Sequence, residues 1–253
     1  MTLRGRLADR VPAPISLRLR GKRSVRRVFG LHPPADLITS LVPTGKNAID
    51  VGANRGVYAY WMAKRADIVD AFEPQPELAR YIRSARLRNV RVHEIALSDH
   101  ATTARLLVPS NDGLARLASP EADEVQVAAE AELGATTELS VQTQTLDSLG
   151  LLNVGFLKID VEGHEMAVLQ GAEETIATNR PIVFVESEAR HARGAPANVI
   201  ERMRDHHGYA RAAFIRGWKI VELEEFDLQR DQIGLLPDFS RPDYVSNFVF
   251  WPS

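Results

Sequence analysis

Asn47-Ala48-Ile49-Asp50-Val51-Gly52-Ala53-Asn54-Arg55-Gly56 reads as a short buried strand that runs into a glycine-containing turn. Val57 to Arg65 follows with Tyr58, Trp61 and Met62 at helical spacing, which predicts a helix. Ile68 to Phe72 is a second apolar run, Pro76 suits the first residue of a helix reaching about Leu87, and Val90 to Leu97 predicts a third strand. Strand, helix, strand, helix, strand in short units implies a parallel sheet with right-handed crossovers. Further on, Phe156 to Asp160 repeats the theme, with a helix predicted from about His164 to Thr178 and a strand from Pro181 to Glu186. Ala210–Ile215, Lys219–Leu223 and Val245–Trp251 predict two or three strands that close the sheet edge, with an antiparallel pair among them. The fold class is α/β, Rossmann-like.

The rest of the chain sets bounds. Its 253 residues suit one α/β domain with insertions, or two small domains, and 45% apolar with 25% charged residues is an ordinary globular mix. A formal net charge of −2 gives no support to a nucleic-acid binder. With no cysteine, disulfides, thiolate metal sites and cysteine nucleophiles are excluded. The chain has no apolar run of transmembrane length, and its basic N-terminus lacks the apolar stretch of a signal peptide, so a cytoplasmic protein is expected. Residues 1–30 hold nine Arg and Lys against one acid, Asp9. We treat 1–46 as a basic N-terminal arm and 47–253 as the domain. The arm is read either as a helix packed on the domain with a solvated basic face, or as a peripheral contact with an anionic membrane or anionic substrate. Residues 109–138, rich in Ala, Glu, Ser and Gly without clear periodicity, are expected to be an insertion or mobile loop, or else filler.

Ligands of open α/β sheets bind at the carboxyl ends of the strands, so the turn Gly52 to Gly56, with Asn54 inside it, is where a cofactor is expected. The dinucleotide pattern G-x-G-x-x-G lacks its middle glycine here. S-adenosyl-L-methionine (SAM) carries no phosphate and suits the turn better, with Asp50 near its ammonium. Glu73 ends the second strand seventeen residues past Gly56, near the spacing at which an acid takes ribose hydroxyls. Ser98 and Asp99 end the third strand, where Asp99 is placed for the adenine amino group.

Ala48–Gly56, Phe72-Glu73-Pro74, Ala96–Asp99, Thr145–Leu149, Leu157–Glu165 and Leu169–Ala172 follow the order and spacing of the FkbM-family methyltransferases, and the chain resembles that family over roughly residues 47–190 plus Asn247–Phe250. The block from Leu157 to Glu165 is its most specific part. The resemblance implies a class I methyltransferase fold with an antiparallel C-terminal edge, and an O-methyltransferase acting on a sugar, glycolipid, polysaccharide or polyketide hydroxyl. Residues 1–30 and 109–138 lie outside the matching blocks and inherit no role.

Methyl transfer needs an in-line approach and removal of the hydroxyl proton, hence a base or a metal near the methyl group. Asp160, Glu162 and His164 follow the fourth strand, and Glu186 ends the fifth with His191 close behind. His164 has a suitable ordinary pKa and is expected to take the proton, with Asp160 and Glu162 shaping the site. Asp160 is counted also toward the cofactor, and Glu186 toward acceptor hydroxyls or deprotonation. Each has a plainer reading as a cap or strand-end acid. Asp160, Glu162 and Glu186 could offer oxygens to Mg²⁺, although no metal-ligand spacing calls for it. The rivals are a methyltransferase for nitrogen or a non-sugar small molecule, a SAM-binding module without catalysis, and more distantly a nicotinamide oxidoreductase.

Overall fold

The computed structural model describes residues 35–109, 115–118, 124, 125, 127, 134–238 and 241–253. Most of the basic arm, 1–34, lies outside the described residues. The described part starts with α1 (Ala35–Leu41), β1 (Asn47–Val51), α2 (Val57–Met62), β2 (Val69–Phe72), α3 (Pro76–Ser84) and β3 (Val90–His93). It continues through β4 (Ala96–Leu97), β5 (Thr102–Pro109), β6 (Arg116–Leu117), β7 (Thr136–Gln144), β8 (Val154–Ile159), α4 (Glu165–Gln170) and α5 (Glu173–Asn179). The last strands are β9 (Ile182–Glu186), β10 (Arg211–Arg216), β11 (Lys219–Glu222) and β12 (Asn247–Trp251).

The main sheet runs β11-β10-β12-β9-β8-β1-β2-β3. From β9 through β3 every pairing is parallel, whereas β12 is antiparallel to both β9 and β10, and β10 to β11. All six residues of β8 are buried, as befits a strand covered on both faces. On one face Val168, Leu169 and Ile176 of α4 and α5 pack with Ile49, Leu157 and Val185. On the other, Ile38 of α1 and Ala59 and Met62 of α2 pack with Ala48, Phe156 and Val249.

Three expectations change. Val90 to Leu97 is not one strand: β3 stops at His93, and Ala96-Leu97 joins a second sheet ordered β4-β7-β5-β6. The ladder's last bond runs from Glu73 N–H to the His93 carbonyl at 3.0 Å, because the next N–H on that edge, Gln75's, donates to Glu73 Oε1 at 2.9 Å instead. The chain then pairs with β7 instead. Residues 109–138 are also less irregular than expected at their edges. β5 and β7 pair antiparallel from Thr102–Thr143 to Pro109–Thr136, so the excursion between β3 and β8 is a small sheet with a core of Ala96, Leu106 and Val141. The predicted helix 164–178 is split into α4 and α5, with Gly171 between them. A Cβ on Gly171 would lie 2.0 Å from the Ser98 carbonyl oxygen, so the close approach of α4 to the end of β4 needs a glycine there.

Candidate functional site

The turn after β1 is shaped by contact with the turn after β8. Gly52 has φ +74°, and a Cβ there would sit 1.9 Å from the Asp160 carbonyl oxygen. Glycine is required on both counts. Asn54 N–H donates to Glu73 Oε2 at 2.7 Å and Gln75 N–H donates to Oε1 at 2.9 Å. Two backbone amides therefore fix the Glu73 carboxyl in the wall of the cleft. Burial drives its pKa up to about 7, against the pull of those two hydrogen bonds. Gly56 caps α2 and packs on Ile82, outside the cleft lining.

Asp50 and Lys158 stand opposite each other in register on β1 and β8. Lys158 and Asp160 alternate onto the same face, so the Lys158 ammonium lies 3.0 Å from Asp50 and 3.3 Å from Asp160. The ammonium also sits 5.0 Å from the centre of the Tyr58 ring. Lys158 is 1% exposed. Burial opposes its charge, yet Asp160 and Asp50 hold its pKa above the ordinary range. Burial outweighs the lysine at Asp50 and raises that carboxyl.

Past β8 the chain turns sharply, with Glu162 at φ +55° and Gly163 at φ +100°. Glu165 Oε1 accepts the Gly163 N–H at 2.9 Å. Glu162 Oε2 lies 3.2 Å from His191 Nδ1. Glu188 next to it accepts from Arg190 at 2.7 and 3.2 Å and from the Tyr244 hydroxyl at 2.5 Å. Burial first, then the charges of Asp160 and Glu188, push Glu162 well above the carboxylate range, and burial with the same neighbours does this to Glu186. His191 is held neutral, at about 2, by burial and by the nearby Arg190 and Arg116. Arg116 reaches in from β6: its guanidinium donates to the Glu162 carbonyl at 2.6 and 3.2 Å and to the His191 carbonyl at 3.2 Å.

The expected site residues thus fall into two groups. Asp160, Glu162 and Glu186 feel one another's charge, together with Glu188. His164 stands apart, its Nε2 2.9 Å from Ser98 Oγ, while Ser98 donates to Asp99 Oδ1 at 2.9 Å. With the serine proton committed to Asp99, Nε2 carries the hydrogen and Nδ1 holds the lone pair. Burial lowers the His164 pKa, against the pull of Asp99. Asp99 itself is half exposed; burial pushes its pKa up, but hydrogen bonds from Ser98 and His100 win and hold it low.

A cleft partly open to solvent, about 670 Å³ with the open space at its entrance counted in, joins these elements. Its walls include Gly52, Asn54, Glu73, Pro74, Gln75, Ile95, Ala96, Leu97, Asp160, Val161, Glu162 and His164, and from the second sheet Leu106, Ala115 and Leu117. Asp50, Ser98, Asp99 and Glu186 lie outside this lining. Among the described residues, three acids and no Lys or Arg line it. Such a lining offers hydrogen-bond acceptors to a hydroxyl-bearing ligand such as SAM and none of the cations that a pyrophosphate would pair with. The Asp160–Glu162–Glu186 set considered for Mg²⁺ is not assembled. Among the described residues, the His, Asp and Glu donors within 4.8 Å of one another are Glu162, Glu188 and His191, and at a distance Glu173, His206 and His207. Glu188 is already satisfied by Arg190 and Tyr244.

Sequence reasoning missed Lys158 and Arg116. A lysine within the apolar run Phe156 to Ile159 was a usable signal, since such a residue is buried only when paired. Nothing in the pattern around Arg116 pointed at a loop 46 residues away.

The mostly parallel sheet, the antiparallel β12 and the cleft at the β1 and β2 ends define a class I methyltransferase fold. The FkbM methyltransferase domain matches residues 50–211, and the chain belongs to that family. Its fold is similar to that of methyltransferase FkbM from Methylobacillus flagellatus KT at 12% identity and TM-score 0.55, over 98% of this chain and 60% of the other; the chain thus spans less than two thirds of that protein. Precorrin-6y C5,15-methyltransferase from Geobacter metallireducens GS-15 aligns at 13% identity and TM-score 0.46, covering 93% of this chain and 91% of the other. A SAM-dependent methyltransferase from Aquifex aeolicus aligns at 13% identity and TM-score 0.43, covering 95% and 98%. No curated protein sequence matches the chain.

Proposed function

We propose that the chain transfers the methyl group of SAM to a hydroxyl oxygen of a small-molecule or glycan acceptor, such as a sugar, glycolipid or polysaccharide. The observation that carries this is the acid-lined cleft at the ends of β1, β2 and β8, in which Glu73 is fixed by two amides. Glu73 takes the ribose hydroxyls, and Pro74, Gln75 and Ile95–Leu97 flank the base. Asp160, with Asp50 and Lys158 behind it, faces the methionine end. SAM supplies the electrophilic methyl on a sulfonium that is already a good leaving group.

The protein's own task is then to hold the acceptor in line and accept its proton. Glu162 is the group we favour for this. It lines the cleft and belongs to the cluster at the ends of β8 and β9, and in its ionised form the raised pKa makes it a stronger base than an ordinary carboxylate, so activity should rise with pH. His164 is the second reading: it is neutral with Nδ1 available, but its hydrogen bond goes to the Ser98 side of the cleft. Mg²⁺ has no part in this scheme. A cytoplasmic location and a peripheral contact of residues 1–30 with anionic membrane belong to the same proposal; no helix among the described residues is long and apolar enough to cross a membrane.

The test is transfer of label from SAM to a panel of sugars, glycolipids and polyketide alcohols beside matched amines. Label on an alcohol supports the proposal. Label on amines alone would shift it to N-methylation, and SAM binding with transfer to none of the panel would favour a binding module.

A further inference from the structure

We propose that Arg116, contributed by the inserted sheet, is a positioning residue of the methyl-transfer site: it locks together the turns that carry Glu162 and His191. This rests on the reading of Glu162 as the proton acceptor. The two turns follow β8 and β9, and Glu162 and His191 lie beyond the main sheet's last pairs, Ile159–Val185 between these strands and Glu186–Asn247 at β12. Arg116 comes from a strand of only two residues, yet it is 6% exposed and spends its guanidinium on backbone carbonyls of both turns. A buried guanidinium is costly to desolvate unless its donors are used. Its planar fork can bridge two carbonyls where a lysine ammonium would serve as a point charge.

A second observation is independent of these hydrogen bonds. A Cβ on Gly163 would lie 2.8 Å from Arg116 Nη2 and 2.8 Å from the His191 carbonyl oxygen. The Asp160–Gly163 turn is therefore built to let this arginine and this carbonyl approach. Its consequence is geometric. With its carbonyl gripped, Glu162 is kept at φ +55°, and its side chain stands between the cleft and His191. The inserted sheet, whose Leu106, Ala115 and Leu117 form a cleft wall, is thereby tied to the proton acceptor.

Peptide-resolved hydrogen exchange on the full-length protein, with calorimetric binding of S-adenosylhomocysteine, tests this. In Arg116→Gln the peptides spanning 160–165 and 188–193 should exchange roughly tenfold faster, the shift expected for loss of one charge-assisted hydrogen bond. Strands 102–109 and 136–144 should keep their protection, and S-adenosylhomocysteine should bind several-fold more weakly. Arg116→Lys keeps the charge but cannot span both carbonyls; it should restore protection to one turn and most of the affinity. If Arg116 only pins the inserted sheet, the inserted strands would lose protection while both turns stay as in wild type, and that result overturns the proposal. Should Arg116→Gln not fold, wild-type protection of both turns in Arg116→Lys would overturn it equally. Failure of the wild-type protein to bind S-adenosylhomocysteine would sink the methyltransferase reading instead, while the exchange result would still judge the lock.

Discussion

Glu73 is asked to be both buried and ionised. Its pKa is raised from the ordinary value near 4.5 to about 7. A raised acid contributes stability that is complete below the unfolded pKa and is lost as pH rises through the folded one. Above pH 7 the empty protein therefore carries a buried charge that awaits a partner. Relative to wild type, the empty Glu73→Gln protein should be more stable at pH 8 than at pH 5, by at most about 3 kcal/mol, and it should bind S-adenosylhomocysteine more weakly. A melting series at the two pH values checks the sign. The proton acceptor is also decided at this scale. Glu162→Gln should lower kcat about 10²–10⁴-fold with cofactor affinity nearly kept, whereas His164→Ala should keep the wild-type pH–rate profile. The reverse pattern would return the role to His164.

At the scale of elements, the legible parts were those with a single hydrophobic logic. β1, β2, β8 and β9 are buried on both faces, so their continuous apolar runs marked them. The glycine turn, Glu73 and the Asp160–Glu165 block then followed from their places at strand ends. Val90–Leu97 misled because nothing in its pattern shows where the neighbouring strand runs out. β5 and β7 were hidden because each is largely exposed and polar along half its length. The grouping of His164 with Ser98 rather than with Glu162 depends on how α4 seats on β4, which no local pattern records. Lys158 makes a prediction for β8: with Asp50 fully buried beside it, Lys158→Met would strand carboxylates and should cost about 3–5 kcal/mol. Denaturant unfolding measures this, and a change below 1 kcal/mol would contradict the pairing. Gly171→Ala should cost about 1–3 kcal/mol by forcing α4 off the Ser98 backbone, read in the same way.

For the whole molecule, the cleft unites the main sheet, whose strand ends carry Glu73, Asp160 and Glu162, with the inserted sheet, which adds Leu106, Ala115 and Leu117 to its wall. Most of the basic arm lies outside the described residues, and its proposed task is separable from the cleft. Deleting residues 1–27 should leave S-adenosylhomocysteine affinity unchanged. If the full-length protein binds anionic vesicles at low salt, the deletion should abolish that binding; no binding by the full-length protein would remove the membrane role. The central claim is that the acid-lined cleft is a SAM site, and calorimetry with S-adenosylhomocysteine on wild type and Glu73→Ala tests it most directly. Binding at one site per chain is expected, weakened in the variant by about 1–3 kcal/mol through loss of charge-assisted hydrogen bonds. No binding by the wild type, or equal affinity in Glu73→Ala, would contradict it.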